Sequence, residues 1–164
     1  MIRNPFKAIL SWFRHHEVGP HSTSEISSLA YKSRERSEDQ SIFYTEKFEK
    51  FALENIDKWR TLVEDWVILG DVIVVHFETV ISDRIGQLER ILKFLNLKKN
   101  DERHECLKYC NVDMYKRKSK TLEKSPFSDE LQAKINNEIN KVNRLLLKYG
   151  HAGIPYEKYN ADYK

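Results

Sequence analysis

The sequence predicts an α/β domain: a short parallel sheet with helices packed around it. Three observations point there. Val72-Ile73-Val74-Val75-His76-Phe77 is a short, continuous apolar run rich in β-branched residues, as in a strand buried on both faces. Two long stretches, around Phe48 to Leu69 and Ser128 to Tyr149, repeat apolar residues at spacings of three and four. Helix, strand and helix then follow one another along the chain, which is the rhythm of a parallel sheet.

Composition fits one such domain. The chain has 164 residues, enough for a proper core, and is 40% hydrophobic and 32% charged, a globular balance. A formal net charge of +3 is too small to argue for nucleic acid, so local clusters must carry any claim of anion binding. The two cysteines, Cys106 and Cys110, fall four apart on an expected helix and read as buried free thiols. They suggest neither a disulfide framework nor a zinc site. No apolar run approaches the roughly 20 residues that span a bilayer, and Met1-Ile2-Arg3-Asn4-Pro5 does not read as a signal peptide.

The first helix is expected from Pro5 to about His15. Pro5 suits its first position, and Phe6, Ile9, Leu10 and Phe13 form its apolar stripe. Gly19-Pro20 stops it. From Val18 to about Ile42 the chain turns serine-rich and charged, which reads as a long loop with a short helix near Ile26 to Tyr31. The next helix places Phe48, Phe51, Ala52, Ile56, Trp59, Leu62, Val63, Trp66 and Leu69 on one face and ends at Gly70, with a break possible near Asn55. Its aromatic residues read as core packing rather than a cofactor platform.

The expected strand, Val72 to Phe77, ends at His76 and Glu78, where open α/β sheets place ligands. Nothing pairs His76 with a nucleophile, so a structural histidine is the favoured reading. Ser82 or Asp83 can cap the following helix, whose stripe is Ile85, Leu88, Leu92 and Leu95. A shorter helix, Asp101 to Cys110, follows behind an Asn100 cap, and residues 111–127 read as loop. The last long helix starts near Ser128, buries Leu131, Ile135, Ile139, Val142, Leu146 and Tyr149, and closes at Gly150. The remainder, His151 to Lys164, is expected along the surface.

Common catalytic signatures are missing. Gly19, Gly70, Gly86, Gly150 and Gly153 are scattered and build no phosphate loop. No serine-hydrolase elbow, metalloprotease helix or deaminase zinc motif is present. What remains is anion recognition. Arg3 at a strand end and Ser11 eight residues on, along the next helix, can converge on one phosphate beside helix N-terminal amides. Tyr115-Lys116-Arg117-Lys118-Ser119 is a second basic element, though composition alone favours a solvated basic loop there and a surface ion pair for Arg3.

Taken together, these segments resemble the sulfotransferases that use 3′-phosphoadenosine 5′-phosphosulfate. Arg3-Asn4-Pro5 with Ser11 looks like the family's 3′-phosphate segment. Val72 to Glu78, followed by Ile91-Leu92-Lys93-Phe94-Leu95, resembles its strand, Tyr-Glu and late helix. Tyr115 to Ser119 is similar to its Phe-x-Arg-Lys-Gly loop. Trp59, Trp66, Cys106, Pro126-Phe127 and Ala152-Gly153-Ile154-Pro155 look closest to the WSC-domain-containing sulfotransferases.

The resemblance implies a partial P-loop-kinase-like fold over residues 1–158, with 159–164 as a tail. It implies Arg3, Ser11, Arg117 and Lys118 on the 3′-phosphate, with Tyr115 either in that loop or stacked near adenine. It also implies the nucleotide as co-substrate, no metal, and a hydroxyl acceptor, a glycan if the subfamily likeness holds. Phe77 stands where the family often has tyrosine, and Ser119 where it has glycine. The family's sulfate-side loop and catalytic base would precede Arg3, so no catalytic residue is assigned here. The expectation is therefore the C-terminal part of a sulfotransferase domain, in the Golgi lumen if an anchor lies upstream. The alternative is a non-catalytic module binding a nucleotide or an acidic glycan. A weaker third reading is nucleic-acid binding through Lys116 to Lys120.

Overall fold

The computed structural model of the protein describes residues 1–18, 41–97, 122 and 124–159. Helix α1, Pro5–Val18, starts where Asn4 accepts a hydrogen bond from the Phe6 amide through its side-chain oxygen, at 3.0 Å. The Asn4 carbonyl accepts the first helical bond, from Ala8, at 2.9 Å. After a 3₁₀ turn at Ser41–Phe43, helix α2 runs unbroken through Glu46–Leu69. Thr45 caps its start and Gly70, at φ 78°, ends it. The break considered near Asn55 does not occur. The Asn55 amide instead donates back to the Phe51 carbonyl at 2.7 Å and leaves the helix intact.

Two short helices follow: α3, Phe77–Ser82, and α4, Arg84–Phe94. Asp83 separates them and caps α4 by accepting from the Gly86 amide at 3.0 Å. Helix α5, Asp129–Lys148, begins at Ser128, whose hydroxyl accepts from Leu131 and donates to Glu49 of α2 at 2.7 Å. A last turn, α6, covers Tyr156–Tyr159.

The core is helical. Helices α2 and α5 share the largest interface, with α1 laid across both. Phe6, Ile9 and Phe13 of α1 meet Phe48, Ala52 and Ile56 of α2 and the Leu131 to Leu146 face of α5. Phe13, Phe43, Phe48 and Phe127 form a chain of tilted and edge-on ring contacts with centroids 5.2–6.1 Å apart. Where α2 meets α5, buried Glu138 receives Arg60 at 2.8 Å and Lys141 at 2.7 Å.

The expected parallel sheet is not present. Among the described residues there is no strand ladder, only an isolated parallel bridge between Ile2 and His76. The Ile2 amide donates to Val75 and the Phe77 amide donates to Ile2, both at 2.8 Å. The pairing stops there for a local reason. On one side α1 begins at Pro5, and on the other α3 begins at Phe77, so neither chain continues extended past the bridge. On the opposite edge, the guanidinium of Arg90 donates to the Val74 carbonyl at 3.4 Å, where a neighbouring strand would otherwise pair. Residues 72–74 keep a strand-like sequence with no described strand partner.

Three further expectations change. Leu62, Trp66 and Leu69 of α2 are exposed, Trp66 by 60%, while Val63 and Val67 face the core. On α4 only Gln87 is buried, and Leu95 lies exposed beyond the helix end. The stretch 151–159 is not a loose surface tail, because Ile154 and Tyr159 are both buried in the core. The short helix expected at Asp101 to Cys110, with both cysteines, lies outside the described residues.

This packing separates α2 into a buried and a dispensable face. Phe48→Ala removes a ring that touches Phe13, Phe43 and Phe127, and should lower stability by about 3–5 kcal/mol. Trp66→Gln should change it by less than about 0.5 kcal/mol. Urea denaturation of the two variants measures both; equal losses would mean that α2 is rotated from the position described.

Candidate anion-binding site

The site is built where the N-terminal lead-in crosses residues 75–78. Besides the bridge bonds at Ile2, the Asn4 amide donates to Glu78 Oε1 at 3.0 Å, and Trp59 Nε1 donates to the Arg3 carbonyl at 3.2 Å. The Asn4 side chain is 0% exposed and donates through Nδ2 to the Tyr159 carbonyl at 3.0 Å. Four elements therefore hold three consecutive residues: the extended stretch before α3, α3 itself, α2 and α6.

Arg3 leaves this clamp with its guanidinium over the Phe77 ring, 5.0 Å from the centroid. Its Nε is buried and has no hydrogen-bond partner among the described residues. A buried guanidinium N–H without an acceptor is costly, and an anion is the natural partner for it. Ser11 stands exposed on α1, two helical turns beyond Pro5. No contact joins Arg3 to Ser11, so the structure places both on one element without closing a clamp between them. Tyr115, Arg117 and Lys118 lie outside the described residues.

His76 lies beneath the crossing. Its Nε2 faces the Ala152 carbonyl at 3.4 Å, and since a carbonyl only accepts, Nε2 carries the proton. Nδ1 is buried with no partner among the described residues. Burial pushes the imidazole below its ordinary value of 6.5, while the Ala152 carbonyl and Glu78 act in the opposite sense. This is a structural histidine, with no nucleophile beside it among its bonding partners. Glu78 Oε2 and the Tyr159 hydroxyl are likewise buried without partners. Burial foremost, then the nearby Glu78, holds the Tyr159 hydroxyl protonated far above the ordinary tyrosine range.

A separate open cavity of about 460 Å³ is lined by Met1, Leu62, Trp66, Val72, Ile73 and Phe94 among others. Most of its lining side chains are apolar, and Asp71 brings a carboxylate among them. Among the described residues no group of three or more His, Cys, Asp and Glu is placed to hold a metal, and no helix is long and apolar enough to cross a membrane.

Sequence reasoning singled out Arg3 and Ser11 and did not anticipate the bonds made by Asn4, Trp59 and Tyr159. An asparagine directly before Pro-Phe and an apolar stripe is an N-cap signal, so Asn4 was within reach. No sequence signal marks Trp59 as a donor to a backbone carbonyl, nor Tyr159 as an acceptor through its own.

These features can be set against known proteins. The sulfotransferase domain model matches residues 1–144, and the chain belongs to that family. Within it, the chain is similar to a WSCD family member from Aedes aegypti, 28% identical over 144 residues. That alignment takes in 87% of this chain but 42% of the relative, so the chain spans less than half the relative's length. No solved structure matches.

The buried histidine gives this end of the fold a pH dependence with a definite sign. The unfolded chain protonates His76 at a higher pH than the folded protein does, so stability is full above about pH 6.5 and falls as pH drops below it. Thermal unfolding between about pH 7 and about pH 5 should show the midpoint falling in the wild type, and falling less steeply in His76→Gln. Parallel slopes would place the proton uptake elsewhere.

Proposed function

We propose that this chain supplies the 3′-phosphate side of a sulfotransferase active site. In the parent enzyme, a sulfuryl group passes from 3′-phosphoadenosine 5′-phosphosulfate to a hydroxyl acceptor of glycan type. Arg3 is the main anchor of the 3′-phosphate, and Ser11 adds a hydroxyl donor from α1. Arg117 and Lys118, with Tyr115, complete the site from the basic run. No residue is assigned to the transfer step itself.

The observation that carries this reading is Arg3. Its Nε is buried with no partner among the described residues, and its guanidinium lies over the Phe77 ring. A preset guanidinium on the 3′-phosphate would bind and orient the nucleotide, a contribution to positioning and not to the transfer step. Arginine suits the task because its planar fork meets two phosphate oxygens at once. Phe77 brings a ring face to the same place and no hydroxyl, so it can steady Arg3 or a base by stacking only.

Calorimetric titration with adenosine 3′,5′-bisphosphate tests the reading. Arg3→Ala should weaken binding about tenfold or more, since a charge-assisted contact contributes about 1.5–3 kcal/mol. Arg3→Lys should recover only part of the loss, because the fork is gone. Equal affinity in wild type and Arg3→Ala would remove Arg3 from the site. Binding of an acidic glycan in preference to the bisphosphate would favour a non-catalytic module.

A further inference from the structure

We infer that Trp59 is a positioning residue of the anion site, acting through the Arg3 backbone; the inference rests on the reading of Arg3 as the phosphate anchor. The lead-in peptide is tied at both neighbours of Arg3. Ile2 is fixed by its two bonds to Val75 and Phe77 at 2.8 Å, and Asn4 by its bond to Glu78 at 3.0 Å. Arg3 itself accepts, through its carbonyl, a 3.2 Å bond from Trp59 Nε1.

That carbonyl and the Asn4 amide belong to one planar peptide, so the Trp59 and Glu78 bonds hold the plane after Arg3 from its two edges, and with it the direction in which the side chain leaves the chain. Phe77 then steadies the guanidinium at the far end. An arginine held at both ends has already given up much of its conformational freedom before any anion arrives, which is the gain preorganisation makes in binding.

Trp59 is suited to this role by its place in α2. It is half-buried against the core, so its indole N–H is carried by the same helix whose buried face packs on α1 and α5. The site is thereby coupled to the packed core, across 56 residues of sequence. Phenylalanine at position 59 would keep most of the ring packing and lose the donor. That substitution isolates the hydrogen bond.

A double-mutant cycle on adenosine 3′,5′-bisphosphate affinity tests this, using Trp59→Phe, Arg3→Ala and the pair. Trp59→Phe alone should weaken binding about three- to tenfold, the range expected for ordering one long side chain. In the Arg3→Ala background it should weaken binding no further. Val63→Ala, a core substitution elsewhere on α2, should lower stability and leave affinity unchanged. Unchanged affinity in Trp59→Phe, or a loss that adds in full to that of Arg3→Ala, overturns the role.

If the wild type binds no bisphosphate, the proposed function fails, and the positioning role is decided separately. Nitrogen-15 relaxation of the Arg3 Nε–H group in the free protein then reads side-chain order directly. Order in the wild type and mobility in Trp59→Phe support the role; equal order in both overturns it.

Discussion

A fully buried asparagine amide must find partners for its oxygen and its nitrogen inside the protein, since no water reaches it. Asn4 meets that requirement in a way that fixes its surroundings. Its oxygen takes the Phe6 amide and so fixes where α1 begins, and its nitrogen gives to the Tyr159 carbonyl and so draws the last turn against the first. Its backbone amide gives to Glu78, which ties the start of α1 to the start of α3. Remove that side chain and α1 loses its cap and its tie to α6, while the backbone bond to Glu78 remains. Arg3, directly before it, lies between two residues that are both tied by hydrogen bonds.

The helical part of this arrangement was legible and the β part was not, for a physical reason. Ser128, Leu131, Ile135, Ile139, Val142 and Leu146 announce α5 through a cap and a stripe, both local properties of the sequence. The run from Val72 to Phe77 announces a strand equally well, but a sheet is a property of partners, and composition says nothing of who pairs. Only Ile2 lies alongside, at one residue. The same limit explains α2. A face drawn through Phe48, Trp59, Leu62 and Trp66 is wider than the surface its partners cover, and Leu62 and Trp66 are left outside.

Around Arg3, sequence reading pointed to a charge and gave no sign of the bonds that surround it. Arg3 stands out because a cation beside a helix start, with a hydroxyl further along, has a chemical meaning on its own. Trp59 and Tyr159 contribute through an indole N–H and a main-chain carbonyl, and their roles exist only once the chain has folded. Family likeness carried the functional reading beyond the residues. The match over residues 1–144 supports the family, while the detailed role of each side chain has to come from geometry.

Stability and recognition occupy different ends of this molecule. Aromatic and aliphatic packing between α1, α2 and α5 supplies the apolar burial that stabilises the fold. The crossing at residues 2–4 and 75–78 rests instead on a few directional bonds around buried polar groups, several of them unsatisfied: Arg3 Nε, His76 Nδ1, Glu78 Oε2 and the Tyr159 hydroxyl. Such groups are not confined to the crossing. Arg14 Nε of α1 is also buried with no partner among the described residues, and its guanidinium also lies over a ring, that of Phe43. What sets Arg3 apart is its place between the tied residues Ile2 and Asn4. Of the four, the arginine alone carries a fixed positive charge, lies half-buried rather than sealed, and is steadied on an aromatic face. An anion arriving there would satisfy the atom that the fold leaves wanting. The deeper three need only one another or a water molecule to be met.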